Sequence, residues 1–223
     1  MDHSSAQTWA LIASILILLT GCTGAPEPTQ PGPGSILLED DFSSPQWGTA
    51  TNAENSVEYA NNALKMIVYA QNSYVWSPPN DQMYQNVHME VTVLNNGTDS
   101  TTAFGLICNR QGTDDSFYYF AITPAGQYAI AKAEQGQGDV FLTNDDQWGA
   151  SDLIPIDASS YRLGADCANG TLTMYVDGQQ IASVSDASYV NGGVGVLAWS
   201  GEEAASGDVT FDDFVMTKLA APQ

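Results

Sequence analysis

The chain has 223 residues, 43% hydrophobic and 10% aromatic. That is enough for one sizeable core and too apolar for a wholly disordered acidic chain. Its 26 acids face five bases (Lys65, Arg110, Lys132, Arg162, Lys218), a formal charge of −21, and five scattered cations cannot build a phosphate-binding track. Composition therefore argues against nucleic acid and anionic membrane surfaces as charge-driven partners.

Residues 9–19 (WALIASILILL) are an uncharged apolar run of eleven. That falls short of the roughly 20 residues of a spanning helix and suits the hydrophobic region of a secretory signal. The run leads into Leu19-Thr20-Gly21-Cys22, which resembles the lipobox of bacterial lipoproteins. The resemblance implies cleavage before Cys22 and a diacylglyceryl group on its thiol. It also implies a lipid-anchored place on the outer side of the cell membrane, at the cell surface or in the periplasm. Residues 1–8 depart from the pattern in having no Lys or Arg. A chance match inside an ordinary signal peptide or membrane anchor is the alternative. Cleavage would remove one acid, Asp2, leaving a net charge of −20.

Residues 1–21 are thus read as signal peptide, and 22–35 as lipidated cysteine and disordered Pro/Gly-rich linker. Thirteen residues of that linker would hold a domain roughly 30–40 Å off the bilayer. With Cys22 assigned to lipid, Cys108 and Cys167 remain as a pair. An oxidising envelope favours their disulfide; two free buried thiols are the alternative. No CxxC or His-rich spacing supports a zinc site.

From Ser35 onward, short β-rich runs alternate with turn residues. Residues 87–93 (VHMEVTV) place Val87, Met89, Val91 and Val93 on one face, with His88 and Glu90 on the other. Similar runs occupy 104–108, 117–123, 128–133, 161–167 and 172–176, and 194–199 and 209–215 close the series. In 117–122 (FYYFAI), Tyr118, Phe120 and Ile122 are read as core-facing, leaving Phe117 and Tyr119 for the opposite surface. Asn169-Gly170 and Asp177-Gly178 are strong hairpin signals, and Pro124-Ala125-Gly126 marks another turn. Phe211 and Phe214, three apart, predict a bulge. Sustained helical periodicity and nucleotide-binding glycine loops are both missing, so no nucleotide or organic cofactor is expected. A dozen or so short strands without helical crossovers imply an all-β, antiparallel two-sheet sandwich.

The order of ILLEDDFSSPQWG, SFYYFAITPAGQYAIAK, GTLTMYVDGQQIASV, GGVGVLAW and VTFDDFVM resembles the concanavalin A-like lectin/glucanase superfamily. More narrowly, it resembles the laminin-G-like and keto-disaccharide-hydrolase-like domains of bacterial envelope proteins. The resemblance covers residues 36–219, leaving 220–223 as a tail. It implies a jelly roll with one concave face that often grips a polysaccharide. The E-x-D-x-x-E spacing of the glucanases is lacking, and the only histidine after residue 21 is His88, beside Glu90. Catalytic residues are therefore not assigned. If the first and last strands pair as the resemblance implies, Asp40-Asp41 and Asp212-Asp213 approach each other and could share one structural calcium ion. Asp114-Asp115 and Asp145-Asp146 are read as plain loop tips.

Sugar binding needs aromatic platforms with planar hydrogen-bonders. The candidates are Trp76, Tyr119, Trp148 and Trp199, with Asn109 and Arg110 at the end of FGLIC. The leading expectation is a non-catalytic, membrane-tethered module for a polysaccharide or glycoconjugate, neutral or cationic given the charge. A structural or protein-interaction domain with an envelope partner is the alternative, and a glycoside-acting hydrolase or lyase ranks third.

Overall fold

The computed structural model describes residues 31–112, 116–201 and 206–220. Cys22, most of the Pro/Gly-rich segment and the Asp114-Asp115 pair lie outside them. In chain order the strands are β1 (Ile36–Asp40), β2 (Ala50–Thr51), β3 (Asn55–Ala60), β4 (Ala63–Val68) and β5 (Tyr74–Ser77). There follow β6 (Val87–Asn95), β7 (Ala103–Arg110), β8 (Phe117–Ile122), β9 (Gln127–Ala133), β10 (Val140–Phe141) and β11 (Gly149–Ala150). The last are β12 (Ser160–Ala168), β13 (Thr171–Val176), β14 (Gln179–Ser185), β15 (Gly193–Trp199) and β16 (Gly207–Lys218). No helix occurs among the described residues.

Two antiparallel sheets form a jelly-roll-like sandwich. The first runs β14-β13-β12-β6-β16-β4-β3-β2, with β1 also on β16; the second runs β10-β9-β8-β7-β15-β5, with β11 on β9. The primed-turn chemistry anticipated at Asn169-Gly170 and Asp177-Gly178 is realised, all four residues having φ between 50° and 76°. Gly34 and Ser35, placed in the linker by composition, exchange backbone hydrogen bonds with Lys218.

Alternation builds the core. Val87, Met89, Val91 and Val93 of β6 are at most 1% exposed and meet Phe104, Leu106, Tyr118, Phe120 and Ile122 of the second sheet. First and last strands do pair, with Asp40 opposite Phe214. On β16 a register shift between Asp212 and Val215, with Asp213 at φ 49°, turns both Phe211 and Phe214 inward. Phe214 then meets Trp47 edge-on at 5.0 Å. A Cys108–Cys167 disulfide ties β7 of one sheet to β12 of the other.

Candidate functional site

The second sheet is apolar on both faces. Every residue of β7 and β8 is buried, although only alternate side chains reach the core. The others (Ala103, Ile107, Phe117, Tyr119 and Ala121) form a separate outer cluster with Ala131, Ala133 and Leu197. An apolar sheet face of this size is stable only when covered by chain or ligand. The chain covers part of it: Phe141 and Trp148 fold over from the segment after β9, with ring centroids 5.7 Å apart. Trp148 in turn stacks on Trp199 from β15, at 6.2 Å and 15°.

What stays open is a cleft of about 480 Å³, a size suited to a small ligand or a few sugar rings. Ala103, Ala121 and Ala133 keep its floor low, and Tyr74, Phe141, Trp148 and Trp199 rise around it. Two polar pairs mark the rim. Tyr119 Oη donates to Asp139 Oδ2 at 2.9 Å, and Trp199 Nε1 donates to Asn72 Oδ1 at 3.3 Å. Burial first, then the Asp139 charge and its hydrogen bond, push the Tyr119 phenol far above its usual range. Tyr119 therefore remains a proton donor that holds the Asp139 carboxylate in place.

Of the residues singled out from sequence, Tyr119, Trp148 and Trp199 meet in this cleft. Trp76 packs on the same sheet face, but one side of its ring is occupied by the Arg110 guanidinium, 5.1 Å from its centroid. Phe117 meets Trp76 edge-on at 6.2 Å. Neither Trp76 nor Arg110 lines the cleft. Arg110 is buried, donating to the Gly112 carbonyl and, at 3.4 Å, to Asp81 Oδ1. Asn109 takes φ 51° and donates Nδ2 to the Tyr189 carbonyl at 2.8 Å, a role in shaping the chain. Tyr74, Asn72, Asp139 and Phe141 escaped the sequence reading. Asn72 sits in a turn, Asp139 in the irregular chain before β10 and Phe141 in a two-residue strand, where no alternation distinguishes a rim residue from an ordinary loop residue.

The acidic doublets do not present four carboxylates to one ion. Asp40 is 5% exposed and points inward, accepting from the Phe42 backbone N–H at 2.8 Å and Trp47 Nε1 at 2.9 Å. Asp41 faces solvent and accepts from the Ser43 N–H. Burial, then the charges of Asp213 and Asp41, raise the Asp212 carboxyl above its ordinary value. Among the described residues no group of three or more His, Cys, Asp or Glu side chains could hold a metal ion. Calcium takes six to eight oxygens, backbone carbonyls among them, so an ion shared here would need donors beyond these side chains. Asp145 and Asp146 are exposed turn residues, Asp146 accepting from the Phe141 N–H.

The outer face of the first sheet is polar. His88 Nδ1 lies 2.6 Å from Asp166 Oδ1 on the neighbouring strand and its Nε2 lies 3.5 Å from Glu90 Oε1. Tyr175 Oη donates to Asp166, and Arg162 bonds Glu90, Thr92 and the Asp213 carbonyl. The Asp166 hydrogen bond, reinforced by the Asp166 and Glu90 charges against partial burial, raises the His88 pKa above its usual 6.5. A raised folded-state pKa contributes stability that is complete below about pH 6.5 and lost as pH rises through the folded value. His88→Gln is therefore expected to destabilise the protein more at pH 5.5 than at pH 9, measured by urea unfolding. Equal losses at both pH values would contradict the ion-paired His88.

No protein-family description matches this chain, and no curated sequence does. Solved structures match its fold. The carbohydrate binding module CBM66 from Bacillus subtilis superposes with TM-score 0.62 and 12% identity, over 78% of this chain and 96% of that one. A Bacillus subtilis protein of unknown function with a galectin-like fold gives TM-score 0.62 and 11% identity, over 86% and 99%. Bacillus licheniformis beta-glucanase gives 0.53 and 14%, over 84% and 99%. At these identities the likeness establishes a fold shared by binding modules and glycoside-acting enzymes.

Proposed function

We propose that this chain is a non-catalytic carbohydrate-binding domain whose ligand lies in the aromatic cleft on the outer face of the second sheet. The observation that carries the reading is the stacked Trp148–Trp199 pair over an alanine floor, with polar pairs at the rim. Pyranose rings offer an apolar face to such platforms and hydroxyls to such rims. The fold shared with a carbohydrate binding module supports the same reading. Glycosidases of the two-carboxylate kind need a pair about 5–5.5 Å or 6.5–9.5 Å apart across the scissile bond. Among the described lining residues Asp139 is the one carboxylate, and Tyr119 already engages it.

The same proposal tethers the domain to the outer side of the cell membrane through acylated Cys22, so that the cleft samples envelope or extracellular glycans. The test is retention of the full chain on a panel of insoluble polysaccharides, in calcium and in EDTA, alongside fractionation of a Cys22→Ser variant. Retention on at least one polymer, with the variant released from membranes, is the expected result. Loss of retention in EDTA would add a calcium ion to this proposal. No retention on any polymer would overturn the carbohydrate reading, and an unchanged membrane fraction for Cys22→Ser would overturn the tether.

A further inference from the structure

We infer that the glycan this cleft takes carries an uncharged acetyl group, a deepening that rests on the carbohydrate reading above. Of the twelve residues lining the cleft, ten are aromatic, alanine or leucine, and the other two are Asn72 and Asp139. Both are already engaged at the rim. Asp139 accepts from the Tyr119 hydroxyl and has a further interaction besides, which makes it a structural part of the rim. Asn72 accepts from the Trp199 indole at 3.3 Å. An indole N–H can only donate, so it takes the Oδ1 arm of the Asn72 amide, and the Nδ2 arm stays a donor. The cleft thus joins a broad apolar lining to a donor amide at its edge.

A substituent turned toward Ala103, Ala121 and Ala133 exchanges water for a surface of methyl groups. There a bare hydroxyl forfeits its hydrogen bonds, whereas a methyl group gains by leaving water. No Lys or Arg is among the lining residues, so a carboxylate or sulfate would lose its hydration without meeting a cation. An ammonium group would meet a carboxylate that Tyr119 already holds. An acetyl group matches both halves of the site. Its methyl suits the alanine floor, and its carbonyl oxygen accepts from Asn72 Nδ2. The same group occurs as an amide on an amino sugar and as an ester on a sugar hydroxyl, and this chemistry is common to the two.

The experiment is calorimetric titration of the full chain with two sets of oligomers. One compares an N-acetylglucosamine oligomer with its fully deacetylated form and with the cello-oligomer of equal length. The other compares an O-acetylated xylo-oligomer with the same oligomer after removal of its esters. In at least one set the acetylated member is expected to bind about tenfold tighter than its unacetylated partners, from one buried methyl and one hydrogen bond. A preference in the first set alone assigns the acetyl to an amide, and in the second alone to an ester. Asn72→Asp keeps an oxygen for the Trp199 indole and loses the NH2, and is expected to narrow the ratio to about threefold or less. Ala121→Val, which raises the floor, is expected to narrow it as well, with a thermal melt confirming that the variant folds. Equal affinity within both sets, or tighter binding of the deacetylated oligomer, would overturn the inference and leave the carbohydrate reading standing. A preference untouched by either variant would place the acetyl group elsewhere and overturn it too. Failure to bind any oligomer of either set would remove both.

Discussion

Replacing Trp199 with alanine is expected to weaken glycan binding by about 2 kcal/mol or more, roughly thirtyfold. The ring forms one wall of the cleft, carries the indole N–H that donates to Asn72, and is the stacking partner of Trp148. Removing it takes away one platform and frees the other. The backbone at this position pairs with Tyr74 on β5 and Ala103 on β7 whatever the side chain. The ring is also only partly buried, so stability should fall far less than affinity does. Titration of wild type and variant against whichever polymer retains the chain, with a thermal melt of each, separates the two effects. Affinity unchanged within twofold would place the ligand elsewhere.

Removing the disulfide is expected to have the largest effect on stability. Cys108 and Cys167 lie 59 residues apart and join the two sheets through their buried faces. Releasing a loop of that length costs about 2–4 kcal/mol through the entropy regained by the unfolded chain. For a domain of this size, that is a drop in melting temperature of about 5–15 °C. The comparison is between wild type under oxidising conditions and the Cys108→Ala/Cys167→Ala double variant. A variant that melts within 2 °C of wild type would contradict a structural staple.

The strands that alternation made legible are those buried on one side by a pattern of period two. FYYFAI showed its division directly: Tyr118, Phe120 and Ile122 enter the main core, and Phe117 and Tyr119 the outer cluster. Phe211 and Phe214 betrayed the bulge because two large rings three apart cannot share a face of a regular strand. The β3–β4 hairpin was harder to see. Its turn is Asn61-Asn62, both at positive φ, and lacks the glycine that usually advertises such a turn. The pairing of β1 with β16 came from resemblance, not from any local signal in either strand.

The site was only half legible, for a related reason. Trp148, Trp199 and Tyr119 announced themselves by size and type. Whether an aromatic ring faces a cleft or a neighbour is decided by tertiary approach. Trp76 is covered because β7 ends with Arg110 beside it. Asn109, at the same strand end, turns away because its backbone adopts a positive φ. Asp40 looks like half of an acidic doublet in sequence, yet the fold spends it on the Trp47 indole. Asp139 and Asn72 gain meaning only through Tyr119 and Trp199, which lie far from them along the chain.

The claim that the second sheet's outer face is the binding face can be tested by mapping chemical shifts. The measurement is a titration of isotope-labelled protein with a panel of cello-, xylo-, fructo- and glucosamine oligomers. The expected result is that a bound oligomer shifts the indole N–H signals of Trp148 and Trp199 first, with the backbone of Ala121 and Ala133 following. Shifts confined to His88, Arg162 and Tyr175 would put the ligand on the polar face of the other sheet and contradict the account.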